Sequence, residues 1–402
     1  MVPETLDALL APSSAQEFLE TQWGKMFAHF PGEPGKFSGL LPWDELNRLL
    51  RQHRLDVPRL RLVRDGKPVP ADAFLAYQTT SRKPGTRIPR VNSVELTRLL
   101  RQGATLIVDA ADELYEPVTT LAENLESLFR VRIQANLYAG WRTSRGFDIH
   151  WDNHDVIVVQ VSGRKRWKVY GMTRPFPLDR DVEPNTKPQD PPLWEGDLSD
   201  GDLLYIPRGW WHVAIPLDEP TLHLTLGVHN PRGGDLLSWF ADRLRSNEDV
   251  RRDLPRFDAR NERMAYMERL REAVLAAWKP EMLEEFFAHR DLAGSARPQF
   301  GLPWSATEGV LPESGFLKWA SPRPVKMESR QPGEFSIACN GKNWRFAEGA
   351  RSILEKLMDR KPHAISELEN LGTDPKITIV FLRELVSKGL VSAVSTGSSL
   401  EE

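Results

Sequence analysis

Between Thr105 and about Asn230 the chain is a succession of short β-branched and aromatic runs separated by turn residues. Valine, isoleucine and aromatic side chains suit a pleated, half-buried surface, and closely spaced turns favour antiparallel neighbours. The region therefore predicts an antiparallel β-sandwich or barrel, and a mainly β fold class with added α-helix. The runs are TLIVDA, RVRIQANLYAG, DVIVVQV, KRWKVY and DLLYIP.

The sequence on either side of these runs shows helical patterns as well as short strands. Residues 1–100 mix short helical patterns with proline-punctuated strands, which predicts a segment flanking the barrel core of residues 101–232. Residues 233–295 carry apolar side chains at helical spacing, and we expect a helical layer with a buried stripe. Residues 296–402 form a linker followed by the pattern helix, helix, helix and closing strand, which predicts a winged-helix-like domain.

Composition excludes several classes of protein. A chain of 402 residues is long for one compact core, and no apolar run reaches the length of a membrane crossing. We expect a cytoplasmic protein without a membrane partner, because the start lacks the pattern of a secretion signal. The single cysteine, Cys339, excludes a disulfide framework or a cysteine-based zinc cluster, so any metal must be held by histidine and carboxylate.

Three side chains in two separated segments have the chemistry of a metal site. His150 and Asp152 lie two residues apart in GFDIHWDNHDV, so a strand would project both from one face. In GDLLYIPRGWWHVAI, turn residues are followed by His212 at the start of the next predicted strand. Two imidazoles and one carboxylate on one side of an octahedral ion leave three positions open, as in non-haem iron(II) oxygenases.

Each half of this pattern also has an ordinary interpretation. A lone His-x-Asp occurs by chance in many chains, and a histidine at a turn-to-strand junction is more often hydrogen-bonded than metal-bound. The hypothesis of a metal site rests on finding both halves together, each within a region of predicted strands. His154 continues the alternation of His150 and Asp152, but a fourth protein ligand would fill a position that the chemistry needs, and we exclude it.

On these residues the chain resembles the JmjC-domain, cupin-type ribosomal oxygenases, and the likeness extends through the barrel, the helical region and the tail. The resemblance implies a double-stranded β-helix core, the cupin/JmjC jelly roll. It also implies that the helical region forms a homodimer. The implied cofactors are Fe(II) held by His150, Asp152 and His212, with 2-oxoglutarate as cosubstrate and O2 as oxidant.

The resemblance also assigns residues to the cosubstrate. Lys165 matches the basic residue that holds the distal carboxylate, although a solvated turn cation is the alternative in GRKRWK. Asn136 and Tyr138 share a face of the preceding strand and match positions lining the cosubstrate pocket. His223 and Thr225 alternate on another strand and could line the same cavity, while a half-buried tyrosine and a core histidine are the ordinary alternatives.

The implied reaction is oxidative decarboxylation of 2-oxoglutarate coupled to hydroxylation of a protein or peptide side chain. The resembled family modifies arginine or histidine of ribosomal proteins. A peptide natural-product precursor is an alternative substrate, and histone demethylation a further one. The sequence leaves the substrate, its target residue and the stereochemistry open.

A second class of function is a non-catalytic protein whose cupin senses a small ligand while the winged-helix-like tail binds DNA. The tail mixes acidic residues such as Glu355 and Glu367 among its lysines and arginines. With a formal net charge of -3 for the whole chain, no strongly basic face is indicated. We therefore expect no nucleic-acid partner.

Overall fold

The chain divides into two compact units, residues 1–230 and 231–402. Among the described residues, no helix combines the length and the apolar character that crossing a bilayer requires. The computed structural model describes residues 2–79, 87–178, 186–294, 297–307, 310–312, 315–321, 323 and 325–394.

The first unit holds the predicted β-rich region and the segment before it. Its helices are α1 (Leu6–Leu10), α2 (Ala15–Thr21), α3 (Trp43–Gln52), α4 (Ser93–Arg101) and α5 (Glu116–Phe129). Its strands are β1 (Ala28–Phe30), β2 (Leu60–Arg64), β3 (Lys67–Pro68), β4 (Leu75–Thr79), β5 (Arg87–Val91), β6 (Thr105–Val108), β7 (Ile133–Gly140), β8 (Asp155–Ser162), β9 (Lys165–Val169), β10 (Trp194–Leu198), β11 (Leu203–Ile206), β12 (His212–Pro216) and β13 (Thr221–Val228).

Antiparallel pairing organises these strands into two facing sheets and a hairpin. The large sheet has eight strands in the order β1-β11-β8-β13-β7-β6-β2-β3, and the smaller one has the order β10-β9-β12. Strands β4 and β5 pair with each other. Because β1, β2 and β3 come from residues before 100, the N-terminal segment is part of the large sheet rather than only a flank.

Alternation along the strands of the large sheet gives each of its faces a separate core. Ile157 and Val159 of β8 pack with the helices, whereas Val156 and Val158 pack with Trp167 of the smaller sheet. Successive side chains of a strand point to opposite faces, so one strand serves both cores. The space between the two sheets is therefore lined by alternate residues of β7, β8 and β13.

A tight turn carries the chain from the large sheet to the small one. Gly163, between β8 and β9, has φ of +67°, and a Cβ at this position would lie 2.0 Å from the carbonyl oxygen of Pro220. Only glycine fits both the backbone conformation and the space. The turn sets β9 across from β8 in the other sheet, which is how a β-sandwich of this kind closes.

The second unit begins with helices and continues into a mixed segment. Its helices are α6 (Gly233–Arg243), α7 (Glu248–Arg251), α8 (Arg260–Ala277), α9 (Met282–Ala293), α10 (Arg351–Leu357), α11 (Ile365–Glu369) and α12 (Pro375–Ser387). Its strands are β14 (Phe316–Trp319), β15 (Met327–Gln331), β16 (Glu334–Cys339), β17 (Lys342–Ala347), β18 (His363–Ala364) and β19 (Val391–Val394).

The C-terminal part of this unit contains the predicted three helices and closing strand. Helices α10, α11 and α12 share one apolar core with β14 and β19, through residues such as Leu317, Leu354, Leu368 and Leu382. Strand β14 pairs with both β18 and β19. The antiparallel meander β15-β16-β17 was not predicted, although its alternating run GEFSIACNGKNWRFA contains an Asn-Gly hairpin signal.

Helix α8 contributes little to the buried stripe that is predicted for the helical layer. Tyr266 is its buried residue among those described, whereas Met264, Met267 and Leu275 are 63%, 58% and 58% exposed. In a single chain these three apolar side chains thus face solvent. The predicted division into four domains stays a prediction, since the structure separates the chain into two units.

Candidate metal centre

His150, Asp152 and His212 come together at one point of the first unit. Their potential ligand atoms all lie within 4.8 Å of one another. The Nε2 atom of His212 is 3.4 Å from Oδ2 of Asp152, and the rings of His150 and His212 have centroids 4.4 Å apart. The sequence prediction that these three side chains meet is therefore confirmed.

The backbone explains how His150 and His212, which are 62 positions apart in the sequence, come to meet. His150 lies in the loop joining β7 to β8, where the predicted strand is reduced to a single β-bridge with His212. The His150 amide donates to the carbonyl of His212 at 3.1 Å, and the His212 amide donates to the carbonyl of His150 at 2.8 Å. The Gly209 amide donates to the Asp152 carbonyl at 2.9 Å, which fixes the third residue against the turn before β12.

Hydrogen bonds at the outer ring nitrogens prepare both imidazoles for a metal. Nδ1 of His150 lies 2.8 Å from the Asp148 carbonyl oxygen, and Nδ1 of His212 lies 3.1 Å from that of Trp210. A carbonyl only accepts, so each Nδ1 must carry the proton, and each Nε2 keeps its lone pair. Burial lowers the pKa of His212 to about 4, with His150 acting in the same direction, so His212 is neutral near pH 7. This donor set fits a divalent metal ion.

The three residues open onto a cavity of about 320 Å³ between the two sheets. Its walls take alternate residues from β7, β9, β12 and β13, together with residues of the loop that carries His150. The cavity is lined by Arg61, Thr105, Gln134, Asn136, Tyr138, Gly146, Phe147, His150, Asp152, His154, Val156, Lys165, Trp167, His212, Ala214, His223, Thr225, Gly227 and His229.

Lys165 is the cationic residue of β9 that points into this cavity. It is 4% exposed, and within the described chain its ammonium has no hydrogen bond or ion pair. Its neighbours Arg164, Arg166 and Lys168 instead pair at the surface with carboxylates, at 3.1, 2.6 and 3.1 Å. Burial lowers the pKa of Lys165 to about 7, because the charged form loses its hydration without gaining a counterion. The alternative of a solvated turn cation is thus wrong for Lys165.

Two further buried groups of the cavity wall lack a hydrogen-bond partner in the described part of the chain. Nδ1 of His223 and Nε1 of Trp167 are buried without a hydrogen-bond partner among the described residues. Their rings meet at a centroid distance of 5.7 Å. Burial, followed by the charge of Lys165, keeps the pKa of His223 well below its usual range, so this histidine is neutral. An anionic ligand would pair with the buried ammonium and could accept a hydrogen bond from the Trp167 indole, so these groups fit such a ligand.

Asn136, Tyr138 and Thr225 line the same cavity, where the family resemblance led us to expect them. Asn136 is the register partner of Thr225, and its Oδ1 accepts hydrogen bonds from the Ala110 amide at 3.0 Å and the Gln134 amide group at 3.1 Å. The Tyr138 ring stacks on His223 with centroids 4.9 Å apart. Burial and the charge of Asp152 raise the pKa of Tyr138, so its hydroxyl keeps its proton.

His154 also faces the cavity but stands apart from the three clustered residues. Its ring stacks on His229, with centroids 4.3 Å apart, and its Nδ1 lies 2.8 Å from Asn153 Oδ1. Sequence reasoning did not predict His229 or the Arg61–Asp109 ion pair at the wall. His229 could have been found by extending the alternation of β13, whereas Arg61 comes from the N-terminal segment, whose sequence gave no signal that it would line the site.

A comparison with known families identifies this region. The model of the JmjC domain matches residues 112–236, which include all three clustered residues and Lys165. The β-rich region that holds the candidate metal centre is thus similar to a JmjC domain. The bifunctional lysine-specific demethylase and histidyl-hydroxylase NO66 of Drosophila pseudoobscura pseudoobscura is 29% identical over 239 residues, which are 56% of this chain and 23% of that protein. Ribosomal oxygenase 2 of Rattus norvegicus is 35% identical over 132 residues, 31% of this chain and 27% of that one.

Among solved structures, the likeness extends over nearly the whole length of this chain. YcfD from Escherichia coli, a ribosomal oxygenase, has 21% sequence identity, a TM-score of 0.57, and coverage of 95% of this chain and 98% of that one. YcfD has also been solved with cobalt and 2-oxoglutarate, and that complex gives a TM-score of 0.54. At this identity the likeness shows a shared fold. The chain spans less than a third of the length of the two curated relatives above.

We expect removal of either His150 or Asp152 to abolish tight metal binding. The variants His150→Ala and Asp152→Ala should each weaken binding of Co(II), measured by isothermal titration calorimetry, by more than roughly 100-fold, the upper range for loss of a merely supporting group. His154→Ala is the matched control, because His154 lines the same cavity outside the cluster. An equal loss in His154→Ala would contradict the assignment of the three ligands.

Proposed function

We propose that this chain is an Fe(II)- and 2-oxoglutarate-dependent hydroxylase that acts on a protein or peptide side chain. The observation that carries the proposal is one cavity holding both a His-Asp-His cluster and a buried lysine without a counterion. The first feature suits a metal with open positions, and the second suits a small anion bound next to it. The JmjC match over residues 112–236 supports the same reaction class.

In this proposal His150, Asp152 and His212 would hold Fe(II), and 2-oxoglutarate and O2 would be the cosubstrates bound in the same cavity. The bound metal with its cosubstrate supplies oxidative decarboxylation coupled to transfer of one oxygen atom into a C–H bond. Two neutral imidazoles and one carboxylate leave the site with a net positive charge when a divalent ion is bound. That charge and the ammonium of Lys165 both attract a dianionic keto acid.

The remaining wall residues bind and orient the cosubstrate. Lys165 pairs with its distal carboxylate, and Tyr138 offers a hydroxyl that stays protonated. Asn136 and Thr225 lie opposite each other on β7 and β13 and add polar contacts. Trp167 and the aliphatic residues behind it exclude water, which protects a reactive site from unproductive turnover.

The substrate is assigned by chemical class from the relatives. One is named as a histidyl-hydroxylase and lysine demethylase, and others as ribosomal oxygenases. These names support hydroxylation of a protein side chain, with arginine or histidine of a ribosomal protein as the first candidates. A peptide natural-product precursor stays as the alternative substrate, and the predicted cytoplasmic location stays a prediction.

We further propose that the second unit serves assembly rather than nucleic-acid binding. Helices α10 to α12 and the sheet β18-β14-β19 are the secondary-structure elements that a winged-helix-like domain contains. Its last helix, α12, exposes the apolar residues Ile377 and Val380 at 66% and 61%, which do not suit a phosphate backbone. The exposed side chains of α8 instead suit a second copy of this chain, which gives a homodimer.

Mass spectrometry tests the hydroxylase. Incubation of cell extract or ribosomal protein with the enzyme, Fe(II), ascorbate and 2-oxoglutarate should yield a peptide heavier by one oxygen atom, located on an arginine or histidine. The product should be absent with His150→Ala. Succinate formed without any modified peptide, or a peptide that loses a methyl group instead, would contradict protein hydroxylation as the main reaction.

Replacing Lys165 by alanine should weaken 2-oxoglutarate binding while Co(II) still binds. Loss of a charge-assisted contact at a buried site typically corresponds to roughly tenfold to hundredfold in affinity. Isothermal titration of 2-oxoglutarate into the Co(II)-loaded protein measures this effect. Lys168→Ala on the same strand is the matched control, because Lys168 is paired with Glu195 at the surface and should give native affinity.

The pH dependence distinguishes a binding lysine from a structural one. Since burial lowers the pKa of Lys165 to about 7, its charge is lost as the pH rises through that value, and 2-oxoglutarate affinity should fall above it. This fall should disappear in Lys165→Ala. If Lys165→Ala loses Co(II) binding as well, or keeps the native pH profile, Lys165 supports the fold and not the cosubstrate.

The dimer is tested by light scattering after size-exclusion chromatography. The native chain should have twice the mass of a monomer, and the double variant Met267→Glu with Leu275→Glu should be monomeric, because charges cannot be buried in an apolar interface without a partner. The double variant Glu262→Lys with Glu272→Lys changes charge on the same helix and should stay dimeric. A native mass of one chain would refute the proposal.

A further inference from the structure

We propose that a second cavity in the first unit binds an acyl-chain carboxylate, that is, a hydrocarbon chain ending in an anionic head group. This cavity measures about 890 Å³ and lies between α3 and α4. Neither the family match nor the proposed hydroxylase accounts for it. The inference is independent of the metal site.

The large sheet separates this cavity from the metal centre. Thr105 and Leu106 are consecutive residues of β6, and Thr105 lines the metal cavity while Leu106 lines the second one. Side chains of consecutive strand residues point to opposite faces. A ligand in the second cavity therefore has no contact with the metal-binding residues.

The floor of the second cavity is hydrocarbon. Its buried lining residues are Leu46, Leu55, Pro89, Leu96 and Leu106. None of these side chains offers a hydrogen bond, so the part of a ligand that reaches the floor must be apolar. An extended peptide would leave its amide groups unpaired there, which is costly in a buried site.

Helices α3 and α4 form the two sides of the floor. Leu46 and Leu50 are four residues apart on α3, and Leu96 and Leu100 are four apart on α4, so each helix turns one apolar row toward the cavity. The polar lining residues Ser93 and Thr97 are exposed at the rim. An apolar trough with a polar edge suits a chain-like molecule with one polar end.

The rim of the cavity is strongly cationic. Its lining includes five arginines and one carboxylate, Asp218, which Arg142 already contacts at 3.0 Å. Within the part of the chain that the structure describes, Arg51, Arg90 and Arg101 have no carboxylate partner. This excess of positive charge stands out in a chain whose net charge is -3.

An anionic head group matches that rim. A guanidinium offers a planar fork of donors that fits the two oxygens of a carboxylate. The size of the cavity falls within the range of small-molecule sites, about 300 to 1,000 Å³, whose lining is mostly apolar with a few charged groups. Apolar floor and arginine rim together specify a carboxylate carried on a hydrocarbon chain.

Calorimetric titration of decanoate and dodecanoate into the full chain tests this proposal. Both should bind at one site per chain, and dodecanoate should bind about 15-fold more tightly, because each buried methylene strengthens binding about fourfold. Decylamine, with the same chain length as decanoate and a cationic head, should bind at least about tenfold more weakly than decanoate. His150→Ala should bind decanoate like the native protein.

Two kinds of variant probe the two parts of the site. Arg90→Gln with Arg101→Gln removes charge from the rim and should weaken decanoate binding about tenfold or more without affecting decylamine in the same way. Thr97→Trp places a large side chain at the exposed edge and should reduce binding of both by filling the space. Arg98→Gln is the control on α4, because Arg98 pairs with Glu95 and does not line the cavity.

Melting curves by circular dichroism accompany each variant, so that a loss of binding is compared between proteins that fold alike. The proposal is overturned if dodecanoate does not bind, if decylamine binds as tightly as decanoate, or if Arg98→Gln has the effect of the double arginine variant. It is also overturned if an acidic amphipathic peptide competes at lower concentration than dodecanoate. Native-like binding by Thr97→Trp would place the ligand elsewhere.

Discussion

A pair of backbone hydrogen bonds between His150 and His212 underlies the candidate site. Metal-ligating side chains are useful only if their backbones are fixed, and here the two histidines exchange amide-to-carbonyl bonds at 3.1 and 2.8 Å. The bridge ties a long loop to the start of β12, and the Gly209 amide ties Asp152 to the same turn. Neither segment could hold three converging ligand atoms by itself, so the site exists because the loop is pinned to the small sheet.

The register of the strands decides which side chains the site receives. On β9, a shift of one residue would turn Lys165 out and Arg166 in, and the long guanidinium would then meet the space now lined by Trp167 and His223. The bulky residues Trp167 and Val169 occupy the same inward face and pack against β8. Apolar packing therefore selects the register, and the register in turn buries one lysine whose surface neighbours are all paired. The strand register of β9 thus produces both the apolar core between the sheets and the charged residue in the cavity wall.

The sequence predicted the strands, the three clustered residues and the shared strand face of Asn136 and Tyr138, and the family resemblance added the cavity that they line together with Thr225. The features that the sequence itself predicted depend on local periodicity and turn residues, which are visible in a single chain. It could not show that β1, β2 and β3 join the large sheet, because pairing between distant strands leaves no local signal. Arg61 lies at the cavity wall because β2 pairs with β6 in that sheet. The burial of Lys165 among four basic residues was likewise undetermined by spacing, since it depends on the register that tertiary packing selects.

The two cavities of the first unit share one segment, which limits how they can influence each other. Trp141 and Arg142 line the second cavity, and His150 and Asp152 follow in the same loop. A ligand shifts another site only if it favours one of two arrangements of the segment between them. Here Arg142 is held by Asp218 and by the carbonyl of Arg101, while the far end is held by the His212 bridge. Both ends of the loop are fixed to different strands and helices. Contacts of a ligand with Trp141 should therefore not move His150 or Asp152, and the two sites act separately.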